Sequence, residues 1–237
     1  MLQGGYSSVL SVESRDDFRD EVVRFAKQVG FNTVAAYVVV DRGGGRSDFY
    51  AVHNAPSGYE EALHDQASAR RDPVIQHCRR QAVPIIWDQA TYTTQGLGEL
   101  WEEQASFGYV NGIAMALHLP EGRHFVFGVE RDKPMPKDRG ELTRVVADLQ
   151  LFAVYAQDAA LRVLAPQLHD DQRPRLTPRE VEVLSWTMDG KTAWEVGAIL
   201  GISERTAVMH VTNAMHKLGA SNKHHAVLKA LKLGLIH

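Results

Sequence analysis

The chain has 237 residues, a formal charge of −3, 44% hydrophobic and 23% charged residues, the balance of a globular protein with room for one large domain or two ordinary ones. A single cysteine, Cys78, excludes an internal disulfide framework, and no apolar run approaches membrane-spanning length. The first residues lack a basic stretch followed by an apolar core, so no secretory signal is expected and a reducing, cytoplasmic setting is.

In chain order, Ser14 to Val29 reads as an amphipathic helix with Phe18, Val22, Val23, Phe25, Ala26 and Val29 apolar, closed by Gly30. Asn32 to Asp41 is rich in β-branched residues and reads as a buried strand; Gly43-Gly44-Gly45 turns it into a second strand, Asp48 to His53. The triplet lacks the spacing and the following helix of a phosphate loop, so a hairpin turn is the reading. Ser57 to Ala69 is expected to be helical. Asp72-Pro73 opens another helix, with Asp72 as N-cap and Pro73 at the first position. Pro84 to Trp87 is extended. Leu97 to Phe107 reads as a helix ended by Gly108. Tyr109 to Leu119 and Arg123 to Glu130 read as paired strands about Pro120-Glu121-Gly122, and Asp138 to Leu164 as one long helix. This order predicts an α+β domain, an α/β/α sandwich on an antiparallel sheet, of the kind that can enclose a small molecule.

Ala165 to Pro174 is polar, holds two prolines and lacks periodicity, as a linker does. The expected division is therefore 1–164, a linker 165–174, and 175–237. In the last part Thr177-Pro178-Arg179-Glu180 and Thr192-Ala193-Trp194-Glu195 are capping boxes, and Ser203 opens a third helix after Gly201. Val181, Leu184 and Met188, then Val196, Ile199 and Leu200, then Ala207, Val211, Ala214, Met215 and Leu218 form the apolar faces of three helices. A fourth, Lys223 to Leu233, adds Ala226, Val227, Ala230 and Leu231. The predicted all-α, four-helix domain contains a helix-turn-helix, whose second helix enters the major groove of double-stranded DNA. Its polar face is Arg205, Val208, Met209, Thr212, Asn213 and His216. Lys191 and Thr192 stand where free N–H groups favour a phosphate. From Arg175 onward eight Lys and Arg face five Asp and Glu, while the rest carries eighteen against twenty-four. The basic share thus falls where phosphates would be met, and its modest size points to pairing on two half-sites.

Leu176 to Glu180, Gly190-Lys191-Thr192, Glu195-Val196, Ile202-Ser203, Thr206, His210, Asn213 and Lys217-Leu218 together closely resemble the C-terminal DNA-binding domain of LuxR-type transcription regulators. The resemblance implies base contacts from Val208, Met209, Thr212 and Asn213, phosphate contacts from Lys191 and His210, and Arg205 and Lys217 as the cations on or beside the recognition helix. It also implies a homodimer on a palindromic promoter site and RNA polymerase as a partner.

More loosely, Gly30-Phe31, Asp72-Pro73, His77-Cys78, Trp87, Tyr92, Gly108 and Gly112 resemble the N-terminal domain of LuxR-type quorum-sensing receptors, which bind N-acyl-homoserine lactones. The resemblance gives Asp72 the ligand amide N–H and sets Trp87 against the lactone. Tyr92 and Tyr109 line or close the acyl side, with Tyr37 off the first strand as a further candidate. Three positions depart from the family. Tyr59 stands for a Trp that donates to the lactone carbonyl, Leu63 for a Tyr, and Gly128 for a Ser that serves the amide carbonyl. A buried ligand group left without a partner costs about 1–3 kcal/mol. The departures leave open a non-lactone small-molecule signal, or a regulator needing no ligand.

Other classes find less support. The sequence has no HExxH, GxSxG or Walker loop, its histidines lack ligand spacing, and neither an enzyme nor a metal or cofactor site is expected. A phosphorylated receiver would need a doubly wound parallel fold, which the hairpins contradict.

Overall fold

The computed structural model describes residues 6–43, 46–59, 70–165 and 174–237. These divide into two units, one holding the sheet and its helices, the other the C-terminal helices. In the first, Ser14 caps α1 (Arg15–Gln28), its hydroxyl accepting from the Asp17 N–H. Then come β1 (Thr33–Gly43), β2 (Arg46–His53), α2 (Pro73–Arg80), β3 (Ile85–Trp87), α3 (Gln89–Thr93) and α4 (Gly98–Ala105). β4 (Asn111–Leu119), β5 (Arg123–Arg131) and α5 (Arg139–Val163) complete it. All pairings are antiparallel, in the order β2-β1-β5-β4-β3.

The alternation of side chains along each strand gives the sheet two unlike faces. Val34, Ala36, Val38, Ile113, Met115, Phe125, Phe127 and Val129 turn one way and pack on Phe18, Val22 and Phe25 of α1 and on Leu149, Phe152 and Ala156 of α5. Phe25 and Phe152 stack at 3.9 Å between ring centroids. Each wholly buried Phe contributes about 1.5–3 kcal/mol of transfer free energy, which makes this the side that holds the unit together. The opposite face carries α2 and α4 over smaller residues: Cys78 of α2 sits on Ala114 and Ala116. The sandwich with helices on both faces is as the sequence predicts.

Two elements were not legible in the sequence. Tyr6–Ser11 forms a 3-10 helix, and α3 is a five-residue helix held by a capping box between Asp88 and Thr91. Both are too short to show a period. The helix expected over 97–107 is shorter at both ends. Residues 60–69 of the helix expected over 57–69, Leu63 among them, and the linker residues 166–173 lie outside the described residues.

The second unit holds α6 (Pro178–Met188), α7 (Ala193–Leu200), α8 (Glu204–Lys217) and α9 (Lys223–Lys232). Both capping boxes form, each Thr hydroxyl accepting from the N3 N–H and each Glu carboxylate from the N-cap N–H. Leu184, Ala214, Leu218, Ala226, Val227, Ala230 and Ile236 make one cluster. Val183, Val196 and Ala207 make a second, which clamps α7 to α8. Two expected core positions face out instead. Ile199 is 46% exposed and Leu231 39% exposed, because each stands at the edge of its helix's apolar stripe.

Candidate ligand site and nucleic-acid interface

The face beneath α2 is made of rows that run across the sheet. One row is Ala35, Gly128 and Ala114, paired strand to strand. Three small residues in line put little bulk of their own above the sheet, where the other face has Phe and Val, and Cys78 sits on Ala114. The next row is Thr33, Glu130, Gly112 and Trp87. Gly112 must be bare: a Cβ there would lie 2.8 Å from the Trp87 ring and 2.5 Å from the Val129 carbonyl oxygen. The indole therefore packs directly on the bare Gly112 backbone, buried, with Tyr92 edge-on to it at 5.9 Å.

Asp72 enters from the N-terminus of α2. Its Oδ1 accepts from the Val74 and Ile75 N–H groups at 2.8 and 2.9 Å, which fixes the carboxylate as the helix cap. Its Oδ2 accepts from the Tyr92 hydroxyl at 3.1 Å. Burial pushes the Asp72 carboxyl above its usual range, against those three hydrogen bonds. Tyr59 stacks on Tyr109 at 4.1 Å and meets Phe107 edge-on. Burial raises the Tyr59 and Tyr92 phenols, so both stay neutral, able to donate and to accept. Trp101 closes the aromatic group, its indole N–H donating to the Val110 carbonyl at 3.0 Å.

Asp72, Trp87, Tyr92, Tyr59 and Tyr109 thus come together, although they are scattered along the chain from residue 59 to residue 109. Tyr37 stands on the same sheet face in the row beside Ala35 and Gly128, half-buried. The residue that sequence reasoning missed is Glu130. It is 9% exposed, and among the described residues its Oε2 has no hydrogen-bond partner. Burial raises its carboxyl to about 7, with the Thr33 hydroxyl acting against it. A charged residue at a buried strand position breaks the alternation, and that break was the available signal. A separate surface depression of about 520 Å³, between Tyr6–Ser11 and α1, is lined by Asp17, Asp20, Glu21 and Arg24 and includes none of these side chains.

In the second unit the turn between α7 and α8 is set by two glycines. Gly201 takes a left-handed conformation, φ 65°, which ends α7. Gly197 lets the turn close, since a Cβ there would be 2.8 Å from the Ile202 carbonyl oxygen. Ser203 then caps α8, accepting from the Thr206 N–H at 3.1 Å. With Ala207, Ala214 and Leu218 buried, the opposite side of α8 presents Arg205, Val208, Met209, Thr212, Asn213 and His216, all exposed. Val208 and Met209 are 48 and 49% exposed, two apolar side chains side by side on a solvated helix. The Thr212 hydroxyl donates to the Val208 carbonyl at 2.9 Å and keeps its lone pairs free to accept.

His210 and Lys191 are half-buried. The Thr192 N–H and hydroxyl both donate to Glu195 Oε2, at 2.7 and 2.8 Å, so a phosphate at this helix start would compete with a carboxylate. Lys217 is also engaged. Its ammonium donates to Glu180 Oε2 at 2.8 Å, the same oxygen that accepts from the Thr177 N–H. Burial acts to raise the Glu180 carboxyl, and the ammonium and that N–H together hold it below its usual range.

Residues 14–160 match the family "Autoinducer binding domain", and residues 174–230 match "Bacterial regulatory proteins, luxR family". The quorum sensing-dependent transcriptional regulator RpaR of Rhodopseudomonas palustris is 31% identical over 222 residues, covering 91% of this chain and 88% of that one. The transcriptional activator SolR of Ralstonia nicotianae is 30% identical over 235 residues, 99% of this chain and 98% of SolR. Among solved structures, Escherichia coli SdiA superposes with a TM-score of 0.76 at 24% identity, covering 96% of this chain and 94% of SdiA. SdiA in complex with octanoyl-rac-glycerol gives 0.76 at 22%, covering 97% of this chain and 93% of that one.

Proposed function

The chain belongs to the LuxR family of quorum-sensing transcription regulators, an autoinducer-binding domain followed by a helix-turn-helix domain, and from that premise we propose that it binds an N-acyl-homoserine lactone over the Asp72 face of its sheet and promoter DNA, as a dimer, through α8. The proposed domains are 1–164 for the signal and the dimer contact, 165–174 as linker, and 175–237 for DNA. The observation that carries the ligand reading is the acceptor at Asp72 Oδ2, held by its own helix cap beside Trp87 and Tyr92 over a floor of Ala35, Gly128 and Ala114. A rigid acceptor next to aromatic rings, over a floor of small side chains, fits an amide N–H that leads into a ring on one side and an acyl chain on the other. Tyr59, stacked on Tyr109, offers its hydroxyl where the family has an indole. Tyr37 and Gly128 bound the floor, and Leu63 brings a side chain that has no hydrogen-bond donor to offer.

On the DNA side, Val208, Met209, Thr212 and Asn213 read bases, the two apolar side chains against thymine methyls. Arg205, Lys191 and His210 serve phosphates. Lys217 and Thr192 act chiefly by holding α8 and α7 in place, through Glu180 and Glu195. The long helix α5 supplies the dimer contact; Val154 on its outer side is 48% exposed. Ligand completes the packing over the sheet and favours the dimer that sets two recognition helices one turn of DNA apart. RNA polymerase is the onward partner of such a promoter-bound dimer.

A second reading is a non-lactone signal, favoured by the loss of donors at Leu63 and Gly128. Thermal melts of the full chain with a chain-length series of acyl-homoserine lactones separate the two. The lactone reading expects at least one member to raise the melting temperature. A series that shifts nothing, while an acyl glycerol or another small molecule does, replaces it with the second.

A further inference from the structure

Glu130 is ionisable, buried and has no part in the proposed contacts with the signal. Its Oε1 lies 3.1 Å from where a Cβ on Gly128 would stand, so its carboxyl occupies room that this glycine leaves open. On one side is Thr33. On the other is bare Gly112, and beyond it the Trp87 ring. The row thus sets Glu130 on the same sheet face as Trp87, whose ring meets Tyr92, and its charge adds to the rise of the Tyr59 and Tyr92 phenols. No described Lys or Arg pairs with it. The neighbouring Arg131 donates instead to the Lys133 and Pro134 carbonyls and lies over the Phe31 ring. The Gln104 Nε2 donor, also unpartnered, does not reach it.

An unpaired carboxyl in a protein interior costs several kcal/mol, and buried polar groups are nearly always satisfied. The Thr33 hydroxyl acts on the carboxyl but leaves Oε2 with no partner among the described residues, and an incoming donor would satisfy that oxygen. We propose that Glu130 is a specificity residue: the signal brings a second hydrogen-bond donor, an O–H or N–H, to Glu130 Oε2 in addition to the one it gives Asp72. The inference rests on the Asp72 face being the signal site, and it narrows the ligand to acyl compounds with two donors near the head. It also explains why a Ser is not needed at 128. A hydroxyl there would donate to a ligand carbonyl, whereas Glu130 turns the same corner of the site into an acceptor.

The test is calorimetric titration of the full chain with three octanoyl compounds. The plain homoserine lactone offers one donor; its relative hydroxylated at the third acyl carbon and the ethanolamide each offer two. At least one two-donor compound is expected to bind about ten-fold or more tighter than the plain lactone, the worth of a hydrogen bond to a charged group. In Glu130→Leu that advantage should shrink to within about two-fold. A second readout needs no variant. Titrations in buffers of different ionisation enthalpy should find protons released near neutral pH by the favoured two-donor compound and not by the plain lactone, because the new donor stabilises the ionised carboxyl. Equal affinities in the wild type, an advantage that survives in Glu130→Leu, or no binding by either two-donor compound would overturn the inference. If the lactones fail and the ethanolamide binds with this signature, the lactone reading falls and the inference stands. If the plain lactone alone binds, the reverse holds.

Discussion

Replacing Glu130 by Gln should remove a loss of stability that the N-terminal unit suffers as pH rises. The folded-state carboxyl is raised to about 7 from an ordinary 4.5, so between those values the folded protein holds a proton that the unfolded chain has released. Stability therefore falls as pH climbs through 4.5 and levels off above about 7, the opposite of a salt-bridged carboxylate. At 1.36 kcal/mol per pH unit the full loss is about 3 kcal/mol, of which about 2 kcal/mol lies between roughly pH 5.5 and 8.5. For a unit of this size that is about 5 °C in melting temperature. Gln keeps the shape without the titration. Its own unpaired amide shifts stability by the same amount at every pH, so the quantity to compare is the difference between the two melting curves across pH. Near-ultraviolet circular dichroism of both proteins without ligand gives it. The gap should grow in favour of Glu130→Gln toward alkaline pH. Parallel curves would mean that the carboxyl is solvated or paired, and would remove the physical basis of its proposed role.

Three further predictions concern other residues. Asp72→Asn keeps an oxygen to cap α2 and should melt within about 1 kcal/mol of the wild type, yet bind the signal at least about ten-fold more weakly; Asp72→Ala should lose both. Equal ligand affinity in Asp72→Asn and wild type, by titration, would reduce Asp72 to a cap. Lys217→Met strands the Glu180 carboxylate in the core and should cost the C-terminal unit about 1–3 kcal/mol in urea unfolding, where a merely phosphate-binding lysine would cost none. In DNA binding followed by fluorescence anisotropy, Lys191→Ala should weaken all sequences alike and flatten the salt dependence, while Thr212→Ala should change the ranking of sequences. Uniform loss from both would refute that division of labour.

The helix-turn-helix was legible because each of its devices is local. Thr177 with Glu180, Thr192 with Glu195, Ser203 and Gly201 lie within one turn of what they cap, and all four take the geometry their spacing demands. The antiparallel sheet was legible from alternation and turns. What was hidden is what depends on register. Nothing in the sequence says that Ala35 pairs with Gly128 and Gly128 with Ala114, and only that pairing turns three small residues into a floor. Glu130 was passed over for the same reason, as the last residue of a strand rather than a buried carboxyl in one row with Gly112 and Trp87. Lys217 looked like a free cation because Glu180, its partner across the bundle, is thirty-seven positions away.

The most direct test of the whole account is the affinity of the full chain for a DNA site selected from a random pool, measured with and without a compound that stabilises the protein, in the wild type and in Asp72→Asn. The account predicts that the compound changes DNA affinity in the wild type and leaves it unchanged in the variant. Identical DNA isotherms with and without the compound in the wild type would contradict it.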